Sequence, residues 1–390
     1  QSIIAQARNF GIETVPLANA LGRVLAQPVV ADRDYPPFDR ATMDGYAVQS
    51  ADFQGYTDVV LHVLERIHAG DTGTRPVTAG TCTKIMTGAP VPPGADAVVR
   101  VEDTQAEGDQ VQFLAATVRS GQNIARRGED ARENDTLLTG SRLITPQTAA
   151  VLAVTGRADV TAARLPTVAI VSTGNEVVSL GNPVLPHQIR DSNAWALRGF
   201  FAAHQITDIT ATLAADDRIA LRETVASLLS QKDIVVLSGG VSKGDADYVP
   251  EVLQSLGVRQ VFHRVRIKPG GPLWFGATAG GKAVFGLPGN PVSVQVACKV
   301  FIEPYLRACF GLPPLEPLLL PFWAERTKKT PFDEYFPVER TIQNGQTGVQ
   351  AVRYNSSGDI AATVRSSGIA LQPAATEKLS PGDVVAFLLW

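Results

Sequence analysis

Residues 235–248 read Val-Val-Leu-Ser-Gly-Gly-Val-Ser-Lys-Gly-Asp-Ala-Asp-Tyr, and this stretch decides the fold. The apolar run Ile234 to Leu237 stops at Gly239-Gly240 and passes into a turn rich in Gly and Asp. That is how a buried parallel strand ends in a ligand-facing loop. Two other segments follow the same grammar. Val168 to Val171 leads into Ser172-Thr173-Gly174-Asn175-Glu176, and Ala283 to Gly286 leads into Leu287-Pro288-Gly289-Asn290-Pro291-Val292-Ser293. Separated by helix-length segments, these units predict an open doubly wound α/β domain over 165–311 whose three loops converge at the carboxyl ends of the strands.

Within that domain the pattern predicts helices over Ala194 to His204, from Asp216-Asp217 through Leu229, over Tyr248 to Leu256, and from Val292 to Leu306. Asp191, Ser192 and Asn193 precede the first of these and are all capping types, so each has a purely structural reading. Val261 to Lys268 alternates as one strand, with Arg264, Arg266 and Lys268 on one face, and runs into Pro269-Gly270-Gly271-Pro272. Three cations aimed at a Gly-rich turn suit an anion, although a solvated edge strand also carries charge. The helix after Gly289-Asn290 offers backbone N–H groups to a phosphate or other oxyanion.

Outward from this centre, residues 1–44 show two short helix-like patterns, ended by Gly11 and Pro28. Residues 136–164 carry a helix opened by Thr145-Pro146, and the two segments are expected to form one discontinuous N-terminal linker domain. Residues 45–135 read as an inserted β domain with strands near Val59, Lys84, Ala97 and Val111. Its polar loops, around Thr87-Gly88 and Arg126-Arg127-Gly128-Glu129-Asp130, have solvated turns as the plain reading, with Arg126 and Arg127 paired to Glu129 and Asp130. Asp44-Gly45 is a turn signal with an Asx-turn as its plain reading. A Pro-rich linker opens 312–390, which reads as a small C-terminal β barrel or sandwich.

Composition narrows the class. The 390 residues exceed a single core, and 45% hydrophobic with 19% charged residues is ordinary for a globular protein. A net charge of -3 gives no general pull toward nucleic acid or anionic membrane, so neither is an expected partner. Cys82, Cys298 and Cys309 lack a C-x-x-C spacing and read as free thiols in a reduced, cytoplasmic setting. The five histidines do not pair at metal-ligand spacing. There is no eighteen-residue apolar run and no signal-peptide pattern at Gln1; since Gln1 is not an initiator Met, a trimmed start is expected.

The chemistry follows from what the loops offer. Neither G-x-x-x-x-G-K-[ST] nor a strand-borne G-x-G-x-x-G is present, which disfavours a P-loop enzyme and a dinucleotide dehydrogenase. No His lies in these loops, so a Ser-His-Asp nucleophile is out. Carboxylates at Glu176, Asp191, Asp245 and Asp247 beside cations and backbone amides suit a phosphorylated ligand bridged by Mg²⁺, hence metal-assisted phosphoryl or nucleotidyl chemistry.

Seven motifs in series then resemble one family. They are Pro36-Pro37-Phe38-Asp39-Arg40-Ala41-Thr42-Met43-Asp44-Gly45-Tyr46-Ala47-Val48, Met86-Thr87-Gly88-Ala89-Pro90, Arg127-Gly128-Glu129-Asp130, Ser172-Thr173-Gly174-Asn175-Glu176, Asp191-Ser192-Asn193, Ser238-Gly239-Gly240-Val241-Ser242 and Gly286-Leu287-Pro288-Gly289-Asn290-Pro291. Each is weak alone, but in this order they cover essentially the whole chain and resemble the MoeA family of molybdopterin molybdenumtransferases, related to the gephyrin E domain. The resemblance implies a homodimer of four-domain subunits with a molybdopterin-binding α/β domain, its site completed by the other subunit. The implied reaction inserts molybdate into adenylylated molybdopterin, with Mg²⁺-dependent release of AMP. Other proteins of molybdenum cofactor biosynthesis are expected partners.

By that resemblance Asp44, Thr87, Asp130, Glu176, Asp247 and Lys268 carry catalysis, with Glu176, Asp191 and Asp247 as metal ligands. Asp191, Ser192, Gly239, Gly240, Pro288, Gly289, Asn290, Ser293 and Arg266 shape the pterin and phosphate pocket. Two departures stand out. Family members often read Lys-Pro-Gly-Lys where this chain has Lys268-Pro269-Gly270-Gly271, and an Arg-x-Glu-Phe-x-Arg pattern is met by Asp333-Glu334-Tyr335-Phe336-Pro337, with no arginine until Arg340. Arg264 or Arg266 is the expected substitute, and Ser357-Gly358 resembles the serine-containing turn of the last domain. The missing cations leave other readings open: a paralogue handling tungstate or an earlier pterin intermediate, a scaffold that binds pterin or a partner peptide without turnover, or a molybdopterin adenylyltransferase sharing the α/β domain.

Overall fold

The computed structural model describes residues 1–56, 58–114, 117–241 and 248–390. They gather into two compact units, one of residues 1–26, 141–145 and 160–390 and the other of residues 27–140 with 146–159. Among the described residues no helix is long and apolar enough to cross a membrane.

The first unit is built on a six-stranded sheet in the order Ile209–Ala214, Val168–Thr173, Ile234–Ser238, Ala283–Leu287, Trp274–Ala277, Arg259–His263. The first four strands are parallel, Trp274–Ala277 runs antiparallel to them, and Arg259–His263 pairs antiparallel with Trp274–Ala277. Alternate side chains on the parallel strands face opposite ways, and both faces are apolar. Val168, Ile170, Ile234, Val236 and Phe285 pack on Leu197 and Phe201 from one helix and Val294 and Tyr305 from others. Ala169, Val171, Val235, Leu237 and Val284 pack on Leu221, Val225 and Leu228 and on Val252 and Leu253. Each fully buried aliphatic side chain there contributes about 1.5–3 kcal/mol. Helices on both faces make the sheet doubly wound, as the sequence predicts. Ser172, Ser238 and Leu287 lie side by side in the ladder, which brings the three following loops to one edge.

Two local expectations fail. Val261 to Lys268 is not one strand. Arg264 has φ 74°, a left-handed conformation rare for a side-chain-bearing residue, and the chain turns there. Arg259–His263 stays in the α/β sheet, whereas Ile267–Lys268 pairs in parallel with Asp333–Glu334 of the last domain. Arg264, Arg266 and Lys268 therefore do not share one strand face. The helix-like patterns in residues 1–44 are also not α-helices. Ile4–Gln6 and Leu17–Asn19 are short 3₁₀ turns, and Ile12–Pro16 and Val24–Leu25 are strands that join Arg142–Leu143 and Asp159–Ala163 in a four-stranded sheet. Segments this short cannot hold a helix unless tertiary packing selects it.

The last domain centres on Asp333–Gln343, which pairs with Gln346–Ala351 on one edge and Gly368–Gln372 on the other. Val384–Leu389 and Leu318–Pro321 continue the sheet. A bridge from Phe322 to Val349 closes it into a barrel around Phe322, Phe336, Val338 and Phe387.

The second unit carries a six-stranded sheet in the order Ala97–Arg100, Gly45–Val48, Thr81–Ile85, Val59–Ile67, Gln110–Phe113, Thr104–Glu107. Its core is Tyr46, Phe53, Leu61, Cys82, Val99 and Phe113. The helix Pro146–Val154 begins at the proline that the sequence marks. All three cysteines are free and buried.

Candidate active site

The three strand-end loops enclose a crevice of about 760 Å³, lined by Ser172 to Gly174 with Glu176, by Ser238 to Val241, and by Pro288 to Pro291. Ile189 to Asn193 form its fourth side. The glycine pair is required by geometry. Gly239 has φ 99° and Gly240 φ 66°. A Cβ on Gly239 would lie 2.6 Å from Thr173 Oγ1 and 2.8 Å from Thr173 O, which no side chain tolerates. The Gly239 N–H donates to Leu287 O at 3.0 Å, so two of the loops are tied by backbone.

Asn193 ties the rest. Its side-chain amide donates to Ser238 Oγ at 2.8 Å and to Gly289 O at 2.7 Å, which joins the helix start to two strand ends. The capping reading of Asp191 is correct, since its Oδ1 accepts the Ala194 N–H at 3.0 Å, and the same residue lines the crevice. Glu176 is exposed, and its carboxylate lies over the Gly174 backbone. Asp216 joins these two carboxylates. Its N–H donates to Asn175 Oδ1 and its carboxylate accepts the Asn175 N–H, both at 3.2 Å, which holds the turn that carries Glu176. Ser172 Oγ and Asn193 Oδ1 are buried at the crevice without a hydrogen-bond partner among the described residues, as expected where a ligand or water completes the set.

A second cavity, of about 700 Å³, adjoins the first, and Pro272, Pro288 and Asn290 line both. It lies between the α/β domain and the barrel and is lined by Lys268, Ser293, Arg326, Lys328, Lys329, Glu334 and Ser357, among others. Arg326 is spent on Glu334 at 2.7 Å and on Gln372. Burial acts to raise the Glu334 carboxyl, but the Thr330 hydroxyl and Arg326 outweigh it and hold it below its ordinary value. Lys268 Nζ stands 4.0 Å from Glu334, and Lys329 is exposed with no ion pair among the described residues. Among the described lining residues of the first chamber Glu176, Asp191 and Asp216 outnumber the one cation, Arg190, so that chamber is net acidic and the next is basic.

The sequence-predicted residues divide accordingly. Glu176, Asp191, Ser192, Gly239, Gly240, Pro288, Gly289 and Asn290 line the acidic crevice, and Lys268, Ser293, Asn290 and Pro288 the basic chamber. Asp247, with Asp245 and Ser242, lies outside the described residues. Arg266 lines neither chamber. Its guanidinium sits 5.8 Å above the Phe332 ring, and Arg264 lines a separate cavity beside Gln1 to Ile4. At the helix start after Asn290, one backbone donor is already engaged: the Val292 N–H donates to Ser357 O at 3.0 Å, and the helical run continues from Pro291–Ala297 through Cys298–Ile302 and Glu303–Cys309.

Asp44, Thr87 and Asp130 belong to the second unit. Asp44 Oδ1 accepts the Thr87 N–H at 2.7 Å and the Thr87 hydroxyl at 2.8 Å, and these bonds hold its carboxyl below the usual range. Asp130 is exposed, and its N–H donates to Tyr35 O at 2.9 Å. Arg126 and Arg127 pair not with their neighbours but with Asp39 and Asp34, both at 2.6 Å, which ties this loop to the proline-rich segment.

Sequence reading missed Asp216, the bridging role of Asn193, and the cations at Arg326, Lys328 and Lys329. The basic run Arg326-Thr327-Lys328-Lys329 is visible as such, but it lies ahead of the 333–337 pattern and outside its spacing.

Together these features define a multidomain protein whose α/β domain opens a polar crevice at the carboxyl ends of its parallel strands, where ligands sit in such sheets. Three family models match the chain. "MoeA N-terminal region (domain I and II)" covers residues 1–156, "Probable molybdopterin binding domain" 169–308, and "MoeA C-terminal region (domain IV)" 322–390. A molybdopterin molybdenumtransferase of Staphylococcus epidermidis is 30% identical over 389 residues, spanning 98% of this chain and 92% of its own. One from Staphylococcus aureus is 29% identical over 394 residues, spanning 100% and 94%. The crystal structure of a molybdopterin biosynthesis MoeA protein from Pyrococcus horikoshii matches with a TM-score of 0.85 at 28% identity, over 100% of this chain and 97% of that one. The chain belongs to the MoeA family of molybdopterin molybdenumtransferases, enzymes of molybdenum cofactor biosynthesis.

Proposed function

We propose that this chain inserts molybdate into adenylylated molybdopterin with Mg²⁺-dependent release of AMP. The observation that carries the reading is the adjacency of an acidic chamber and a basic one, sharing Pro288 and Asn290. A phosphorylated pterin bridged by a cation suits the first, and a tetrahedral oxyanion suits the second. Among the described residues no cluster of three or more side chains is arranged to hold a metal alone. Glu176 and Asp191 nevertheless offer hard oxygen donors to one crevice, the donor set Mg²⁺ accepts while keeping several waters. Asp247 is proposed as their third partner. Bound there, Mg²⁺ would neutralise phosphate charge as the phosphoanhydride breaks.

The chain's own groups do the rest. Gly239 and Gly240 let backbone approach the ligand without a Cβ in the way. Asn193 holds Ser238 and the Gly289 carbonyl in fixed relation, so the loops are set before the ligand arrives. Lys268, with Ser293 and Ser357 beside it, orients the oxyanion in the basic chamber. Ser192 and Pro288 to Asn290 shape the pterin and phosphate pocket.

We further propose a cytoplasmic homodimer of subunits divided at 1–44 with 136–164, 45–135, 165–311 and 312–390. In it Asp44, Thr87 and Asp130 act on the ligand held by the other subunit.

Incubation with adenylylated molybdopterin, Mg²⁺ and molybdate tests the reading. AMP release matched by active cofactor supports it, pterin bound without AMP release makes the chain a scaffold, and consumption of ATP with free molybdopterin makes it an adenylyltransferase.

A further inference from the structure

The charges around the basic chamber do not balance. Among its described lining residues Lys268, Arg326, Lys328 and Lys329 face a single carboxylate, Glu334. Arg326 cancels that carboxylate by direct contact, at 2.7 Å. The other three cations are left over. Lys268 reaches Glu334 only at 4.0 Å, across oxygens already engaged by Arg326 and Thr330. Lys329 is exposed, with no hydrogen bond or ion pair among the described residues.

Lys328 is the unusual one. It is only 5% exposed, yet its Nζ donates to the carbonyls of Phe332 at 2.9 Å and Ala374 at 2.8 Å rather than to any carboxylate. A buried cation held by neutral dipoles projects its field into the nearest open space, because little water screens it. That space is the chamber.

We propose that this surplus makes the chamber select a doubly charged tetrahedral oxyanion over a singly charged one of the same shape. Lys329 is the residue that contacts the anion, and Lys328 acts on it at a distance through charge. The inference rests on the proposed placement of the oxyanion in this chamber and adds a charge rule to it. Shape cannot make the distinction, since molybdate, tungstate and perrhenate are tetrahedra of nearly one size. Only the second negative charge differs, and a chamber with one spare cation would gain little from it.

The test is a calorimetric titration of the full-length protein with molybdate and, separately, with perrhenate, at fixed ionic strength. The titrations are repeated with adenylylated molybdopterin present. The expected result is molybdate bound about tenfold tighter than perrhenate or better, with the ratio shrinking as salt rises. Lys329→Gln is expected to reduce the ratio several-fold while leaving perrhenate affinity less affected, and Lys328→Met to reduce it without removing a contact to the anion. If Lys328→Met fails to fold, the surface substitution Lys329→Gln decides alone. Equal affinity for the two anions, or a ratio unmoved in Lys329→Gln, overturns charge selection while leaving the placement standing. No measurable binding of either anion under any condition, or binding indifferent to Lys268→Gln, removes the placement and the selection with it.

Discussion

Asn193→Ala is expected to loosen three loops at once. The wild-type amide makes two hydrogen bonds, to Ser238 Oγ at 2.8 Å and to Gly289 O at 2.7 Å, linking a helix start to two strand ends. Each contributes about 1 kcal/mol net, and the carbonyl left without a donor adds a desolvation cost of similar size. The total is about 2–3 kcal/mol. In a domain this size that lowers the unfolding midpoint by about 4 °C or more. Where the loops must be ordered before ligand binds, the same energy weakens binding about 30-fold or more. Asn193→Asp is a sharper probe. The Ser238 hydroxyl can turn to donate to the new carboxylate, but the Gly289 carbonyl faces a negative charge instead of a donor. Thermal unfolding, followed by titration with adenylylated molybdopterin, measures both effects. If Asn193→Ala keeps its midpoint within a degree and its pterin affinity within twofold, the claim that this side chain pre-sets the crevice is wrong.

Four other outcomes are expected. Glu176→Gln should preserve the fold and lower AMP release at least tenfold, with a raised Mg²⁺ requirement; an unchanged Mg²⁺ titration would remove Glu176 from the ligand set. Gly239→Ala should cost about 1–3 kcal/mol for its positive φ alone, beyond the clash with Thr173, so weak expression and an early melting transition are predicted, and a wild-type melt would contradict the geometry. Asp233 accepts from Arg8 at 2.7 Å and Arg164 at 3.1 Å. Burial acts to raise its carboxyl, but the Thr167 N–H and the two arginines outweigh it and hold it below the ordinary value of 3.8. A lowered folded value gives stability present above that pH and lost as pH falls through the depressed value, so an acid melt of Asp233→Asn should be flatter below about pH 4. Thr87→Val should free the Asp44 carboxylate from one of its two donors and slow turnover without disturbing pterin affinity, as separate kinetic and binding titrations would reveal.

The parts of the fold legible in the sequence were those whose signal is local. Val168 to Val171, Ile234 to Leu237 and Ala283 to Gly286 are continuous apolar runs closed by glycine or proline, and a parallel strand buried on both faces requires that pattern. The convergence of their loops then follows from sheet topology. What escaped depends on distant partners. Arg264 adopts φ 74° although nothing in its own residue type asks for it, and that single turn moves Lys268 out of the α/β sheet to pair beside Glu334. The Val292 N–H is taken by Ser357, 65 positions further along the chain, so one donor of the helix start that read as an anion site is already engaged. Arg326, Lys328 and Lys329 face Lys268 only because the barrel sits against the α/β domain, and no spacing rule connects them. The departure at Gly271 is visible in the sequence, whereas the cations that line the chamber opposite Lys268 are not.

A structure of the protein with adenylylated molybdopterin bound tests the central claim most directly. The account predicts the phosphate groups between the Ser172–Glu176, Ser238–Gly240 and Pro288–Asn290 loops, with Glu176 and Asp191 on the same side of them. A ligand seated anywhere else, with solvent filling that crevice, would contradict it.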